Sequence, residues 1–212
     1  MFNVIGNGPS LKSFNFNDLG GKTIGMNLAF RFWERINWFP DFYSCQDIIM
    51  CKGFNNEIND LAEKYSKSFF LVRKNCGIHK KNNIDYLEDY IDNYYIFRYM
   101  KDYITTGSIS ALWAAKLGAD KIELNGIDGV VEEVTKTAKK LDNNLLIMES
   151  TPNINPNYFF NDYLRKGEIY NKPNFTPLFH LKSWILVKNL LTSLGVEIIN
   201  NNPKSRVGIF NN

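Results

Sequence analysis

Short apolar runs alternate along this chain with longer segments whose apolar residues recur at helical spacing. The runs lie at 2–5, 22–26, 41–45, 68–72, 121–124 and 196–199, with a further one at 94–97. The helical patterns lie at 29–35, 57–66, 108–117, 131–141 and 181–194. Strands that alternate with helices predict a parallel sheet with helices on both of its faces.

The segment 181–194 carries the clearest helical pattern. Five apolar residues fall on one face at a period of 3.6 residues, namely Leu181, Trp184, Val187, Leu191 and Leu194. Gly195 is suited to end this helix. The length of 212 residues is within reach of one α/β domain, and no repeat or linker divides the chain. We therefore predict an α/β fold with a mostly parallel sheet, as a single Rossmann-like domain over residues 1–212.

Composition excludes several classes of protein. The net charge of +3 comes from basic and acidic residues that are interspersed, which gives no reason to expect a nucleic-acid partner. No apolar run reaches the roughly 18 residues of a transmembrane helix, and the N-terminus reads as a strand rather than a signal peptide. Three cysteines in no metal-ligand spacing and two histidines argue against a zinc site. We expect a cytoplasmic protein with reduced thiols. The oligomeric state stays open, a homo-oligomer included.

The first predicted strand ends in the turn Gly6-Asn7-Gly8-Pro9-Ser10. Two glycines permit a sharp turn and close approach of the backbone to a ligand, and amides at a helix start attract anions. The turn is neither a P-loop nor a dinucleotide fingerprint, because both spacings fail. The alternative interpretation is an ordinary strand-to-helix turn.

Two further groups of polar residues stand at element ends. Thr105, Thr106 and Gly107 precede the helix at 108–117, where they form either a simple cap or a phosphate-binding helix start. Gly126 and Asp128 follow the strand at 121–124, where the carboxylate could bind a ligand or cap the next segment. No Asp-x-Asp pattern lies near the strand ends, so we predict no bound metal.

Residues 150–179 break the alternation and are rich in Pro, Asn and aromatic residues. A long segment of this kind is often a lid over a site; the alternative is a surface excursion with a short helix near 158–164. His180 follows the segment at the start of the last predicted helix. A histidine there is either structural or a general base, since its ordinary pKa lies near neutrality.

The order of these motifs resembles the bacterial sialyltransferases that use CMP-activated sialic acid. The resemblance rests on Gly-Asn-Gly-Pro-Ser-Leu at 6–11, Gly-Met-Asn at 25–27, Phe-Tyr-Ser at 42–44, Ile-Thr-Thr-Gly at 104–107, Gly-Ile-Asp at 126–128 and His180. It covers most of the chain, with one middle segment unmatched. The first turn alone also resembles, more distantly, a hydroxymethylpterin diphosphokinase-like group.

The resemblance implies a Rossmann-like domain with a lid and a metal-independent, inverting transfer that needs no cofactor. By carry-over, His180 is the general base, and lid tyrosines, among Tyr158, Tyr163 and Tyr170, support the leaving phosphate. Its partners would be a CMP-activated sugar donor and a glycan acceptor. The nucleotide-binding set would comprise Gly6, Asn7, Gly8, Ser10, Asn27, Thr105, Thr106, Gly107, Gly126 and Asp128.

Three departures from the family pattern bear on the donor. Tyr103 stands where the family has Arg, Thr106 replaces Ser, and Gln46 and Asp47 stand where an Asn is expected. They leave open, as the donor, a CMP-linked sugar other than sialic acid or another nucleotide sugar. Two other functions also remain as alternatives: an ATP-dependent diphosphokinase-like enzyme, which would need carboxylates for Mg²⁺, and a nucleotide-binding module without activity.

Overall fold

A seven-stranded parallel sheet forms the centre of the protein. The computed structural model describes residues 1–129, 137–172 and 177–207. Its strands are β1 (Phe2–Ile5), β2 (Lys22–Met26), β3 (Phe42–Ser44), β4 (Phe69–Val72), β5 (Ile84–Tyr86), β6 (Lys121–Asn125), β7 (Ala138–Lys140), β8 (Leu145–Met148), β9 (Ile169–Asn171) and β10 (Glu197–Asn200). The large sheet has the order β10-β6-β1-β2-β3-β4-β5, and β7, β8 and β9 form a separate antiparallel sheet.

Helices cover both faces of the large sheet. They are α1 (Phe30–Trp33), α2 (Ile48–Gly53), α3 (Asn55–Lys64), α4 (Leu87–Asn93), α5 (Tyr95–Arg98), α6 (Thr106–Lys116) and α7 (Pro177–Ser193). Successive strand residues point to opposite faces, so Ile5 belongs to the core with α1 to α3 and Val4 to the core with α6 and α7. The predicted α/β, Rossmann-like fold is confirmed.

The strand predicted at 94–97 is wrong. Tyr95–Arg98 forms α5, directly after α4. Tyr90 contacts Tyr94 and Phe97 through their rings, with centroids 5.4 and 5.2 Å apart, and Phe97 is fully buried. Aromatic residues favour strands when considered locally. Here their burial at helical spacing decides the conformation. The edge strand β5 and the helix α2, which begins after the capping carboxylate of Asp47, were not predicted.

The helix predicted at 131–141 is wrong where the structure describes it. Ala138–Lys140 forms β7, which pairs with β8, while 130–136 lie outside the described residues. The predicted structureless segment 150–179 also contains regular structure. Ile169–Asn171 forms β9 against β8, and Asn161–Tyr163 is a single 3₁₀ turn. Neither strand has enough apolar alternation of its own to be recognised without its partner.

The strand order reverses at β1 and β6. The chain runs outward from β1 to β5 and then returns to place β6 on the other side of β1. Ligands of open α/β sheets bind beyond the carboxyl ends of the strands at such a point. The turns that follow β1 and β6 therefore border the candidate site. Within the ranges described above, no helix has the length and apolar character that crossing a membrane requires.

Candidate functional site

The turn after β1 packs directly on the turn after β6. The Gly6 amide donates to the Asn125 carbonyl at 2.7 Å, and the Gly8 amide donates to the Gly126 carbonyl at 2.9 Å. A Cβ on Gly6 would lie 2.4 Å from the Gly126 oxygen, and one on Gly8 would lie 2.3 Å from Asp128 Oδ2. Both glycines are thus required by contact between two backbone turns, whether or not a ligand approaches them as well.

The Asp128 carboxylate joins these two turns. It accepts hydrogen bonds from the Ser10 amide at 2.8 Å and the Ser10 hydroxyl at 2.6 Å, and its Oδ1 also accepts from Asn202 Nδ2 at 2.7 Å. Only 5% of Asp128 is exposed. The carboxylate caps the first turn after β1. Ser10 and Asp128 are therefore engaged with each other.

Asn7 has one amide atom in use and one that is available. Its side-chain Nδ2 donates to the Tyr163 hydroxyl at 3.0 Å. Its backbone carbonyl oxygen accepts from the Phe159 amide at 3.2 Å. Its Oδ1 is buried and accepts no hydrogen bond from any described residue. With Nδ2 directed to Tyr163, Oδ1 is left as an acceptor at the carboxyl end of β1.

A second polar group links the ends of β2 and β3 to the start of α6. Asn27 adopts a left-handed conformation with φ 53°, and its Oδ1 accepts from the Thr106 hydroxyl at 3.2 Å. The Thr106 oxygen in turn accepts from the Gln46 amide at 3.2 Å. The structure thus brings together Asn27 and Thr106, which stand 79 residues apart in the sequence.

Gln46 is a site residue that sequence reasoning noted only as a departure from the family pattern. Its Nε2 donates to Ser44 Oγ at 3.1 Å and to the Leu71 carbonyl at 2.8 Å. Its Oε1 is buried without a hydrogen-bond partner among the described residues. Its place just beyond β3 is the signal that could have found it, because the other candidates also follow strands.

The start of α6 is tied to α7. Thr105 Oγ1 caps the helix by accepting from the Ser108 amide at 3.3 Å. Ser183 Oγ lies 2.7 Å from Ser108 Oγ and donates to the Tyr103 carbonyl, also at 2.7 Å. A Cβ on Gly107 would lie 3.0 Å from the Trp184 ring. Thr105 is thus a cap, and the first amides of α6 remain without intrahelical partners.

The two halves of the site meet at Ile127. Its Cδ1 would lie 2.7 Å from a Cβ on Gly6 and 3.3 Å from a Cβ on Gly107. The turn after β1 and the start of α6 are therefore neighbours on either side of one side chain. This brings the Asn7 turn to the same part of the molecule as Thr106 and Gly107.

His180 lies within the first turns of α7 rather than before that helix. It precedes Ser183 by three positions, which places both on one side of the helix near the start of α6. Its ring meets the Phe179 ring edge-on, with centroids 5.9 Å apart. The side chain reaches solvent. The surrounding protein nevertheless desolvates the imidazole and lowers its pKa below the usual 6.5.

The described part of the predicted lid covers the carboxyl ends of β1 and β2. Tyr158 stacks on Tyr163 with centroids 3.7 Å apart, and burial raises the pKa of both phenols, so both are neutral. Arg31 donates to the Tyr163 carbonyl at 2.9 Å and forms a two-point ion pair with Glu168. Apolar members of this segment lie in the core: Phe159, Phe160, Tyr163, Leu164 and Tyr170. Opening of this segment as a lid stays a prediction.

Carboxylates in the described ranges do not converge on one point. No group of three or more His, Cys, Asp or Glu residues there is placed to hold a metal ion. The carboxylates that border the site are already engaged: Asp128 with Ser10, and Asp47 with the first amides of α2 and with Asn171.

Comparison with known proteins identifies the fold. No protein-family model matches the chain, and no curated protein sequence does so. One similar structure is that of sialyltransferase CstII from Campylobacter jejuni in complex with a substrate analogue, cytidine-5′-monophosphate. Its sequence is 14% identical to this chain and the TM-score is 0.53; the match covers 99% of this chain and 82% of that one. A single-site variant of α-2,3/8-sialyltransferase CstII is 14% identical with a TM-score of 0.55, over 99% and 85%. The sialyltransferase-like fold predicted from the motifs is confirmed.

Proposed function

We infer that this protein is a glycosyltransferase that moves a sugar from a CMP-activated, sialic-acid-like donor to a glycan hydroxyl. The observation that carries the proposal is the convergence of Asn7, Asn27 and Thr106 at the reversal point of the sheet, with the buried Asn7 Oδ1 available as an acceptor. The likeness to a sialyltransferase solved with cytidine-5′-monophosphate supports the choice of nucleotide.

The nucleotide would be held by neutral groups. Asn7 Oδ1 can accept a hydrogen bond from an N–H or O–H of the nucleoside, and a buried polar atom gains most from such a partner. The amides that open α6 suit the phosphate, because a helix start carries partial positive charge, and the Thr106 hydroxyl holds Asn27 beside them. Tyr158 and Tyr163, neutral because burial raises their pKa, would contribute by hydrogen bonding rather than by charge.

Transfer would follow a single displacement. The acceptor hydroxyl oxygen forms a bond to the anomeric carbon as the bond from that carbon to the phosphate oxygen breaks, and CMP leaves with the electron pair. His180 takes the proton of the acceptor hydroxyl. Charge develops on the leaving phosphate, where fixed hydrogen-bond donors stabilise it. The lowered pKa of His180 keeps its imidazole neutral, and therefore able to act as a base, at neutral pH.

Ligand-induced stabilisation tests this proposal against its alternatives. We expect CMP to raise the melting temperature equally in EDTA and in Mg²⁺, because binding to the folded state stabilises it by mass action. Incubation with CMP-sialic acid should then release CMP, faster when a glycan acceptor is present. A shift with ATP alone that requires Mg²⁺ would favour the diphosphokinase-like function. A CMP shift without any turnover would favour a nucleotide-binding module.

A further inference from the structure

Asn27 holds a backbone conformation that few residues adopt. It lies directly after β2 with φ at 53°, in the left-handed region. Residues other than glycine are uncommon there, and asparagine is among those that tolerate the region best. The extended and right-handed regions are open to asparagine as well, so neighbouring groups must hold Asn27 where it is.

The Tyr43 hydroxyl is one such group. It donates a hydrogen bond to the backbone carbonyl of Asn27 at 2.9 Å. Tyr43 belongs to β3, which pairs with β2, and its side chain is fully buried. Three further rings pack around it, those of Phe30, Phe39 and Phe70. Burial raises the pKa of this phenol, so the hydroxyl keeps its proton at neutral pH and remains a donor.

The side chain of Asn27 depends on the same backbone conformation. Its Oδ1 accepts from the Thr106 hydroxyl at 3.2 Å, and no group in the described ranges accepts a hydrogen bond from its Nδ2. The residue is half-buried, so this amide is within reach of a ligand. Rotation of the backbone to an extended conformation would carry the amide away from Thr106. The backbone of Asn27 therefore sets how Nδ2 is presented at the carboxyl end of β2.

We propose that Tyr43 is a positioning residue: by holding the Asn27 carbonyl, it keeps Asn27 in the conformation that makes Nδ2 available to the nucleotide. Tyr43 is fully buried, so it acts through Asn27 rather than by contact with the ligand. A protein whose binding-competent state is only partly populated binds its ligand more weakly, in proportion to that population. This inference rests on the proposed function.

Titration with CMP tests the proposal. Tyr43→Phe keeps the ring and should raise the Kd of CMP by roughly two- to tenfold, the worth of one neutral hydrogen bond. The matched control is Tyr86→Phe, because the Tyr86 hydroxyl also donates to a backbone carbonyl, that of Ile78 at 3.0 Å, away from the candidate site. The control should lose similar stability in urea while its Kd stays unchanged. An unchanged Kd for Tyr43→Phe, or an equal rise in both variants, overturns the proposal.

A double-variant cycle distinguishes positioning from a general loss of stability. Asn27→Gly removes the amide but allows the left-handed backbone without strain. If Tyr43 acts through the Asn27 side chain, Tyr43→Phe should have no further effect on CMP affinity in the Asn27→Gly protein. The same fold-change with and without the Asn27 side chain would show that Tyr43 is merely structural.

Hydrogen exchange without ligand separates this proposal from the function it rests on. The Leu28 amide donates to the Tyr163 hydroxyl at 3.4 Å, so its protection reports the conformation of the residue before it. Tyr43→Phe should speed exchange of this amide, whereas Tyr86→Phe should not. If the wild type binds no CMP, the proposed function fails, yet faster exchange at Leu28 would still uphold Tyr43 as the residue that holds Asn27. Unchanged exchange at Leu28 overturns that role.

Discussion

Asn7 offers the most direct test of the candidate site, because its two amide atoms have separate tasks. Its Nδ2 donates to Tyr163 at 3.0 Å, whereas its buried Oδ1 is available to a ligand. Replacing Asn7→Ala removes both. Replacing Tyr163→Phe removes the hydroxyl that accepts from Nδ2 and from the Leu28 amide but keeps Oδ1, so the two variants distinguish ligand binding from internal stability.

The magnitudes follow from the cost of an unpaired buried polar group, about 1–3 kcal/mol. We expect Asn7→Ala to weaken CMP binding by this amount, which is roughly 5- to 150-fold in Kd. Tyr163→Phe should lower the free energy of unfolding by about 1–3 kcal/mol, because Asn7 Nδ2 is left unpaired. Its effect on CMP affinity should be smaller, since Oδ1 remains in the site.

Isothermal titration with CMP in EDTA measures the first quantity, and urea unfolding without ligand measures the second. Asn93→Ala, at an exposed amide on α4 that contacts only the Asp89 carbonyl among the described groups, serves as the matched control. If Asn7→Ala unfolds more easily but binds CMP as tightly as the wild type does, the turn is structural and the reasoning about Oδ1 is refuted.

Three further outcomes are expected. His180→Ala should reduce the rate of sugar transfer about 10²- to 10⁴-fold while CMP affinity is retained. If this variant transfers sugar at the wild-type rate, another group is the base. Because desolvation lowers the pKa of His180, the acid limb of kcat/KM for the wild type should have its midpoint below 6.5, and a midpoint at or above 6.5 in the pH–rate profile would contradict this role. Arg31→Met should lower the free energy of unfolding in urea by up to about 3 kcal/mol, because Glu168 loses its ion-pair partner. The same change should make residues 150–172 more accessible to proteases. The control, Arg98→Met on α5, should have neither effect.

Local pattern was sufficient for most of the large sheet. The apolar runs predicted β1, β2, β3, β4, β6 and β10, and helical spacing predicted α6 and α7. These elements are encoded by residues that are near one another in the sequence, because strand and helix periodicity are short-range properties. The turn at Gly6 to Ser10 could likewise be placed at a strand end, which is enough to locate the candidate site at one edge of the sheet.

Local pattern failed where a distant partner decides the conformation. Residues 138–140 carry two lysines and helix-favouring neighbours, yet they form β7 because β8 pairs with them. The aromatic residues of 94–97 favour a strand by composition, but burial of Phe97 against Tyr90 makes them helical. Single-sequence reasoning cannot see either contact, since both depend on how the chain returns to itself.

The sequence alone therefore located the ends of most strands of the large sheet and the start of α6. The tertiary structure decided what those residues do. Asp128 is joined to Ser10 across 118 residues, and Tyr163 is joined to Asn7 across 156. The Asp128 carboxylate accepts from Ser10 and Asn202, whereas Asn7 Oδ1 accepts from no described residue. Whether a polar atom is satisfied or free depends on every group that packs around it, and that packing arises only when the whole chain has folded.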